Sequence, residues 1–145
     1  MKIIKEISFQ ETFSVRHLIL REGKPIETCY FVGDDFPDTK HFGLFVNEKI
    51  MGVISIYKNK NTIFKFPNQY QIRGMAVLKE FQGKGYGKLL VQYCENHLNS
   101  SNSPLIWFNA RETALPFYEK IGYTKTGFPF EISDVGVHFL MFKKL

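Results

Sequence analysis

Apolar and polar positions alternate from Lys2 to Ile7, the period of a half-buried strand. Ser8-Phe9-Gln10-Glu11 then places a Ser three residues before a Glu, a capping box that predicts a helix running to about Arg21, which Gly23-Lys24-Pro25 ends. Asp34-Asp35-Phe36-Pro37-Asp38 reads as a loop. His41 to Val46 and Ile50 to Tyr57 read as a hairpin across Asn47-Glu48-Lys49, and Gln69 to Val77 as a further strand after the turn Asn59-Lys60-Asn61. Tyr86, Leu89, Leu90, Tyr93, Cys94, His97 and Leu98 recur at three- and four-residue spacing, the stripe of an amphipathic helix. Polar punctuation at Asn99 to Ser103 precedes a short buried-type strand, Leu105 to Asn109. Thr113 to Ile121 reads as a helix, with Pro116 in its first turn and Gly122 just past its end. Tyr123 to Glu131 and Val137 to Lys143 close the chain as strands. The order β-α-β-β-β-α-β-α-β-β predicts an α/β (α+β) domain around a mixed sheet, with no repeat, linker or low-complexity tract.

Composition narrows this further. With 145 residues, 44% hydrophobic and 16% aromatic, the chain suits a single domain over residues 1–145 and is too apolar for a disordered segment. No apolar run approaches the ~20 residues of a membrane span, and the opening Met1-Lys2-Ile3-Ile4-Lys5-Glu6 lacks a leader pattern. Cys29 and Cys94 make neither a metal pattern nor a disulfide framework, so a cytoplasmic protein without metal is expected. The net charge of +5 is scattered, without a polybasic run. This argues against nucleic acid and membrane partners and leaves a small polyanion as an alternative use of the charge.

That charge has a local focus in Glu80-Phe81-Gln82-Gly83-Lys84-Gly85-Tyr86-Gly87-Lys88, where glycines and lysines interleave directly ahead of the amphipathic helix. Helix N-termini present free N–H groups and the positive end of a dipole, so such a stretch suits phosphate. It is not a Walker loop: Gln82 stands where the first glycine is needed and Leu89 where the magnesium-binding hydroxyl belongs. Nor is it a dinucleotide fingerprint, since the third glycine falls on Lys88 or Leu90.

Gln82-Gly83-Lys84-Gly85-Tyr86-Gly87 resembles the acyl-coenzyme A signature of the GNAT (GCN5-related) N-acetyltransferases, written Q/R-x-x-G-x-G/A. Asn109-Ala110-Arg111, Ala114, Phe117-Tyr118-Glu119-Lys120 and Gly122-Tyr123 are similar to the second half of that family's pattern, in the same order. The resemblance covers residues 40 to 125 closely, and it departs at Lys79, where the family often has proline. It implies a mostly antiparallel sheet of six to seven strands flanked by helices. It also implies a central splay that forms an acyl-CoA cleft between the strand ending near Val77 and the strand at Leu105 to Asn109. The implied cofactor is acetyl-CoA, held by Met75, Val77, Gln82, Gly83, Lys84, Gly85, Tyr86, Gly87, Lys88, Asn109, Ala114 and Phe117, with strand backbone at Met75 and Val77 pairing with pantetheine. Arg111 serves the cofactor or braces a loop.

The implied reaction moves acetyl to a primary amine of a small molecule or peptide by direct attack. An alkylamine with a pKa of about 10.4 arrives charged at neutral pH and must lose its proton. A thioester carbonyl must be polarised by a backbone N–H near Val77, and the departing thiolate needs an acid. Tyr118 is the candidate acid, with packing beside Phe117 as its plainer role. His138 is the candidate base, with Glu131, Asp134, His41 or water as alternatives and a structural histidine as the plainer role. Arg21 and Arg73 are candidate substrate-binding residues, and Arg16 could join them in clamping an acceptor's carboxylate or phosphate. Asp34 and Asp35 could instead attract a polyamine. Cys29 could in principle carry the acyl group, although direct transfer needs no such residue, and Cys94 reads as core. A catalytically inactive acyl-CoA-binding sensor or interaction module is the alternative function. A monomer and a homodimer fit the sequence equally.

Overall fold

The computed structural model describes residues 1–99 and 102–145. Ser100 and Ser101, in the middle of the polar stretch expected at Asn99–Ser103, lie outside the described residues. The chain forms two compact units, Met1–Lys58 with Ile72–Leu98, and Asn59–Gln71 with Asn99–Leu145. Its seven strands are β1 (Lys2–Ile7), β2 (Lys40–Val46), β3 (Lys49–Lys58), β4 (Gln69–Val77), β5 (Leu105–Arg111), β6 (Thr124–Ile132) and β7 (Gly136–Lys144), and they form one sheet in the order β1-β2-β3-β4-β5-β7-β6.

The first unit begins with β1 (Lys2–Ile7). The capping box forms as read: the Ser8 N–H donates to Glu11 Oε1 at 2.9 Å and the Glu11 N–H to Ser8 Oγ at 3.2 Å. It opens a 3-10 turn at Gln10–Thr12 rather than the α-helix itself, and α1 follows over Phe13–Leu20. β2 (Lys40–Val46) pairs antiparallel with β1 on one side and with β3 (Lys49–Lys58) on the other. The loop between β2 and β3 is one residue shorter than expected. Asn47 and Glu48 both adopt positive φ (49° and 70°), the two-residue turn whose twist matches flanking strands, and Lys49 already pairs with Val46. β4 (Gln69–Val77) enters this unit at Ile72, and α2 (Tyr86–Leu98) follows the glycine loop. The stripe of α2 does what its spacing requires: Leu90, Val91, Cys94 and Leu98 are buried, and Phe42 of β2 packs edge-on against Tyr93 at 4.9 Å. Ile7, Val15, Val53 and Ala76 form a buried core cluster, with Ile19, Leu20, Phe45, Ile50 and Leu78 against it. Full burial of a side chain such as Val15 or Val53 contributes about 1.5–3 kcal/mol by leaving water.

In the second unit, β5 (Leu105–Arg111) runs parallel to Gln69–Gln71 of β4 and antiparallel to β7 (Gly136–Lys144), which in turn pairs with β6 (Thr124–Ile132). α3 spans Leu115–Lys120 after a 3-10 turn at Glu112–Ala114, with Pro in its first turn as expected. Leu105, Trp107 and Leu140 are buried against Phe64 and Phe142, and the indole N–H of Trp107 donates to the Asn59 carbonyl at 2.9 Å.

Candidate active site

The glycine loop joins β4 to α2. Gly83 and Gly85 take φ of 75° and 83°, the region where side-chain-bearing residues are strained, and a Cβ added at either would meet no atom within 4 Å. Space is therefore open above both. Gly87 lies inside the first turn of α2. Among the described residues, the backbone N–H groups of residues 83–88 donate to no protein acceptor. In the helix part of this stretch the reason is geometric, because the first N–H groups of a helix have no carbonyl four residues back. Lys84 and Lys88 are exposed beside this row, and Tyr86 is half-buried with its ring stacked on Phe81 at 5.9 Å. Gln82 donates its side-chain amide to the Val77 carbonyl at 2.8 Å, so it ties the loop to the end of β4. These features fit a pyrophosphate: free donors, added positive charge, and a surface that side chains at Gly83 or Gly85 would obstruct.

Just upstream, β4 carries a feature the sequence reading missed. Gly74 has φ of 67° inside the strand, and a Cβ there would stand 3.1 Å from Phe31 Cε2 and 3.2 Å from Arg16 Nε. A lone glycine in a strand pattern is the available signal for such an irregularity. Met75 and Val77, on either side of buried Ala76, are half-buried.

Gly74 yields room to a buried polar network. Arg16, wholly buried on α1, donates from Nη1 to the Cys29 carbonyl (2.8 Å) and to Asp34 Oδ2 (2.6 Å), and from Nη2 to Asp34 Oδ1 (3.2 Å) and Ser55 Oγ (2.9 Å). Tyr57 donates its hydroxyl to Asp34 Oδ1, and the Phe31 N–H donates to Oδ2 at 2.9 Å. Burial would raise the Asp34 carboxyl, but the hydrogen bonds from Arg16, Tyr57 and the Phe31 N–H outweigh it and hold the group below its ordinary value. Arg16 Nε has no hydrogen-bond partner, and the Phe31 ring lies 4.1 Å from Cζ. This corrects two expectations. Arg16 cannot clamp a substrate, because its charge is neutralised inside the fold, and Asp34 is not free to attract a polyamine. Asp35 is exposed and accepts the Tyr30 hydroxyl at 2.6 Å.

His41 is also part of this network and not a free base. Nε2 lies 2.9 Å from the Asp34 carbonyl, which can only accept, so Nε2 carries the proton. Nδ1 then accepts from the Ser55 hydroxyl at 2.6 Å. Burial pushes this imidazole below its ordinary pKa, against the pull of Asp34, and keeps it neutral. Cys29 is fully buried, with its thiol pushed up by that burial, which removes it as an acyl carrier.

Arg21 and Arg73 remain half-buried, with Cζ atoms 4.8 Å and 5.2 Å from the centroid of the same Phe31 ring. Arg21 donates to the Thr28 and Leu20 carbonyls, and Arg73 to the Val32 carbonyl at 3.3 Å.

The second unit holds the other candidates. The Tyr118 ring packs 4.4 Å from Phe108, 5.0 Å from Phe117 and 6.2 Å from Tyr123, and burial pushes its phenol up to about 12. Its hydroxyl has no hydrogen-bond partner among the described residues. Asn109 and Arg111 are exposed on β5, and Ala114 is half-buried. His138 on β7 is buried, and its Nδ1 lies 2.8 Å from the Gly136 carbonyl. Nδ1 therefore donates, which leaves Nε2 as the ring nitrogen not committed to the main chain. Glu131 and Asp134 are exposed, Asp134 in the β6–β7 turn with φ of 63°. Among the described residues there is no group of three or more His, Cys, Asp or Glu that could hold a metal, and no helix long and apolar enough to cross a membrane.

Comparison with known proteins agrees with this geometry. The acetyltransferase (GNAT) domain family matches residues 33–145. The chain is 31% identical to the uncharacterized N-acetyltransferase YitI of Bacillus subtilis (strain 168) over 142 residues, covering 98% of this chain and 95% of that protein. Its fold is similar to an aminoglycoside 6'-N-acetyltransferase solved with coenzyme A (TM-score 0.77, 15% identity, 98% of this chain and 96% of that one). It is equally similar to Escherichia coli ElaA (TM-score 0.76, 15% identity, 99% of each chain). A family match over most of the length and a relative 31% identical across nearly the whole chain lead to one conclusion: the chain belongs to the GNAT family and is an acetyl-CoA-dependent N-acetyltransferase.

Proposed function

We propose that the protein is a single acetyltransferase domain of the cytoplasm that transfers acetyl from acetyl-CoA to a primary amine of a small molecule or peptide by direct attack. The observation that carries this reading is the row of unpartnered N–H groups over residues 83–88, opening onto α2 beside Lys84 and Lys88. In it, Gly83, Lys84, Gly85, Tyr86, Gly87 and Lys88 bind the pyrophosphate. Gln82 braces the loop, and the backbone of Met75 and Val77 pairs with pantetheine in the manner of an added strand. Acetyl-CoA supplies the acetyl group as an activated thioester. Asn109, Ala114 and Phe117 complete its binding residues by the family resemblance.

Tyr118 is the proposed acid and His138 the proposed base. The Tyr118 phenol, with no internal acceptor, keeps its proton available for the leaving sulfur. At about 12 it is a weak acid, so its help rises only as negative charge develops there. In this role Nε2 of His138, the ring nitrogen not committed to the Gly136 carbonyl, takes a proton from the incoming ammonium. The alternative, an inactive acyl-CoA-binding module, shares the glycine loop and differs only in turnover.

Calorimetric titration with acetyl-CoA, followed by thiol release on a panel of amines, tests the reading. Binding with amine-dependent release supports it. Binding without release from any amine selects the inactive module, and absence of binding refutes both.

A further inference from the structure

Resting on the reading that the protein acetylates an amine, we propose that Arg21 and Arg73, arranged round Phe31, form a carboxylate-binding subsite, so that the acceptor is an amine that also carries a carboxylate. Three guanidinium groups lie within 4.1 to 5.2 Å of the Phe31 ring centroid. The charge of Arg16 is met in full by Asp34. Arg21 and Arg73 face no carboxylate among the described residues, and their hydrogen bonds go to main-chain carbonyls. A guanidinium carries five N–H donors in a planar fork. Arg21 uses two of them and Arg73 one, which leaves most of both forks for a ligand. Two uncompensated cations at one ring, half out of water, repel each other, and a bound anion relieves that repulsion.

The surroundings hold the pair in place. Arg73 also lies 5.3 Å from the Tyr57 ring, and both rings are anchored through Asp34, by the Tyr57 hydroxyl and by the Phe31 N–H. The platform is therefore built on a buried ion pair and does not depend on flexible surface side chains. Arg73 precedes Gly74 and Met75 on β4, the strand that the proposed function assigns to the acyl chain. Arg73 stands two residues before Met75, so a ligand group held by this guanidinium lies on the same strand as the backbone assigned to the acyl chain. A flat carboxylate matches guanidinium forks in a bidentate manner. A polyamine would meet the positive charges of Arg21 and Arg73 at this ring, where Asp34 is already paired with Arg16.

The test compares matched acceptors in the thiol-release assay: amino acids against their α-amides, ω-aminoalkanoic acids against alkylamines of equal length, aminoalkylphosphonates, and spermidine. The carboxylates are expected to exceed their neutral partners in kcat/KM by roughly 10- to 100-fold, the range for a charge-assisted hydrogen bond. Arg73→Gln and Arg21→Gln should remove that preference while leaving the neutral amines and acetyl-CoA affinity unchanged. Arg73→Lys should keep part of it. Equal rates for both members of every pair, turnover of spermidine alone, or preference for phosphonates overturns the proposal without touching the acetyltransferase reading. An equal loss on charged and neutral amines in the variants also overturns it, because the arginines would then be structural. If acetyl-CoA binds and no amine is turned over, the reading of the enzyme fails separately. The subsite is then decided by thermal shift with the same carboxylates: stabilisation of the wild type and not of Arg73→Gln supports it, and no stabilisation refutes it.

Discussion

Replacing Gly85 with valine separates the two duties of the glycine loop. Gly85 has φ of 83°, and no atom lies within 4 Å of a Cβ built there. The first atom of the new side chain therefore meets nothing, and the main expected effect on stability is backbone strain. A left-handed conformation costs a side-chain-bearing residue about 1–2 kcal/mol, more for a β-branched one. For a domain of this size that lowers Tm by about 3–8 °C. Cofactor affinity should fall much further. The valine methyls occupy the open space above the loop and displace phosphate from neighbouring N–H groups, each worth about 1.5–3 kcal/mol toward a charged acceptor. Losing two of them lowers affinity by roughly 10²- to 10⁴-fold. Calorimetry with acetyl-CoA measures this directly, and Gly85→Ala, with similar strain and less bulk, should fall between. S-acetylpantetheine, which lacks the phosphates, supplies the control: its turnover should be nearly the same in Gly85→Val and wild type. Unchanged acetyl-CoA affinity refutes the phosphate cradle. An equal loss with acetylpantetheine shows that the loop acts through something other than phosphate.

Three further expectations concern the rest of the fold and the proposed chemistry. Asp34→Asn leaves the Arg16 guanidinium buried without its counter-charge and should cost about 3–5 kcal/mol in urea unfolding. The double variant Arg16→Met/Asp34→Leu should recover much of that, and a loss below about 1 kcal/mol in the single variant would contradict the assigned ion pair. His41 has a folded pKa below its unfolded value, so the unfolded state binds the proton first. Stability should be level above about pH 7, decline as pH falls below ~6.5, and decline again below ~4 as Asp34 is protonated. His41→Gln should abolish the first decline in urea midpoints, and its persistence would assign that decline to another group. Tyr118→Phe should reduce kcat toward the lower part of the ~10²–10⁴-fold range of positioned acids while leaving acetyl-CoA affinity alone, and full kcat in the variant would make Tyr118 a packing residue.

Local chemistry determined most of the element order. The Ser8–Glu11 capping box, the stripe from Tyr86 to Leu98, the Pro116 and Gly122 pair and the glycine loop each act within a few residues, so spacing alone exposes them. Element ends were less legible, because the Asn47–Glu48 turn and the 3-10 turn at Gln10–Thr12 depend on backbone angles that many residues tolerate. The open glycine loop was legible for the same local reason. What only the tertiary structure decided is the fate of the charged and titratable side chains. Arg16, Arg21 and Arg73 look alike in sequence, yet the fold brings Arg16 against Asp34, whose carboxylate balances its charge, and against the Ser55 and Tyr57 hydroxyls, while Arg21 and Arg73 meet no carboxylate among the described residues. His41 becomes a neutral donor and acceptor through Asp34 and Ser55, seven and fourteen residues away. Gly74 is kept free of a side chain by Phe31 and Arg16, partners more than 40 residues distant. A side chain's charge state depends on its solvent exposure and its partners, and both are properties of packing between distant segments that no local pattern records.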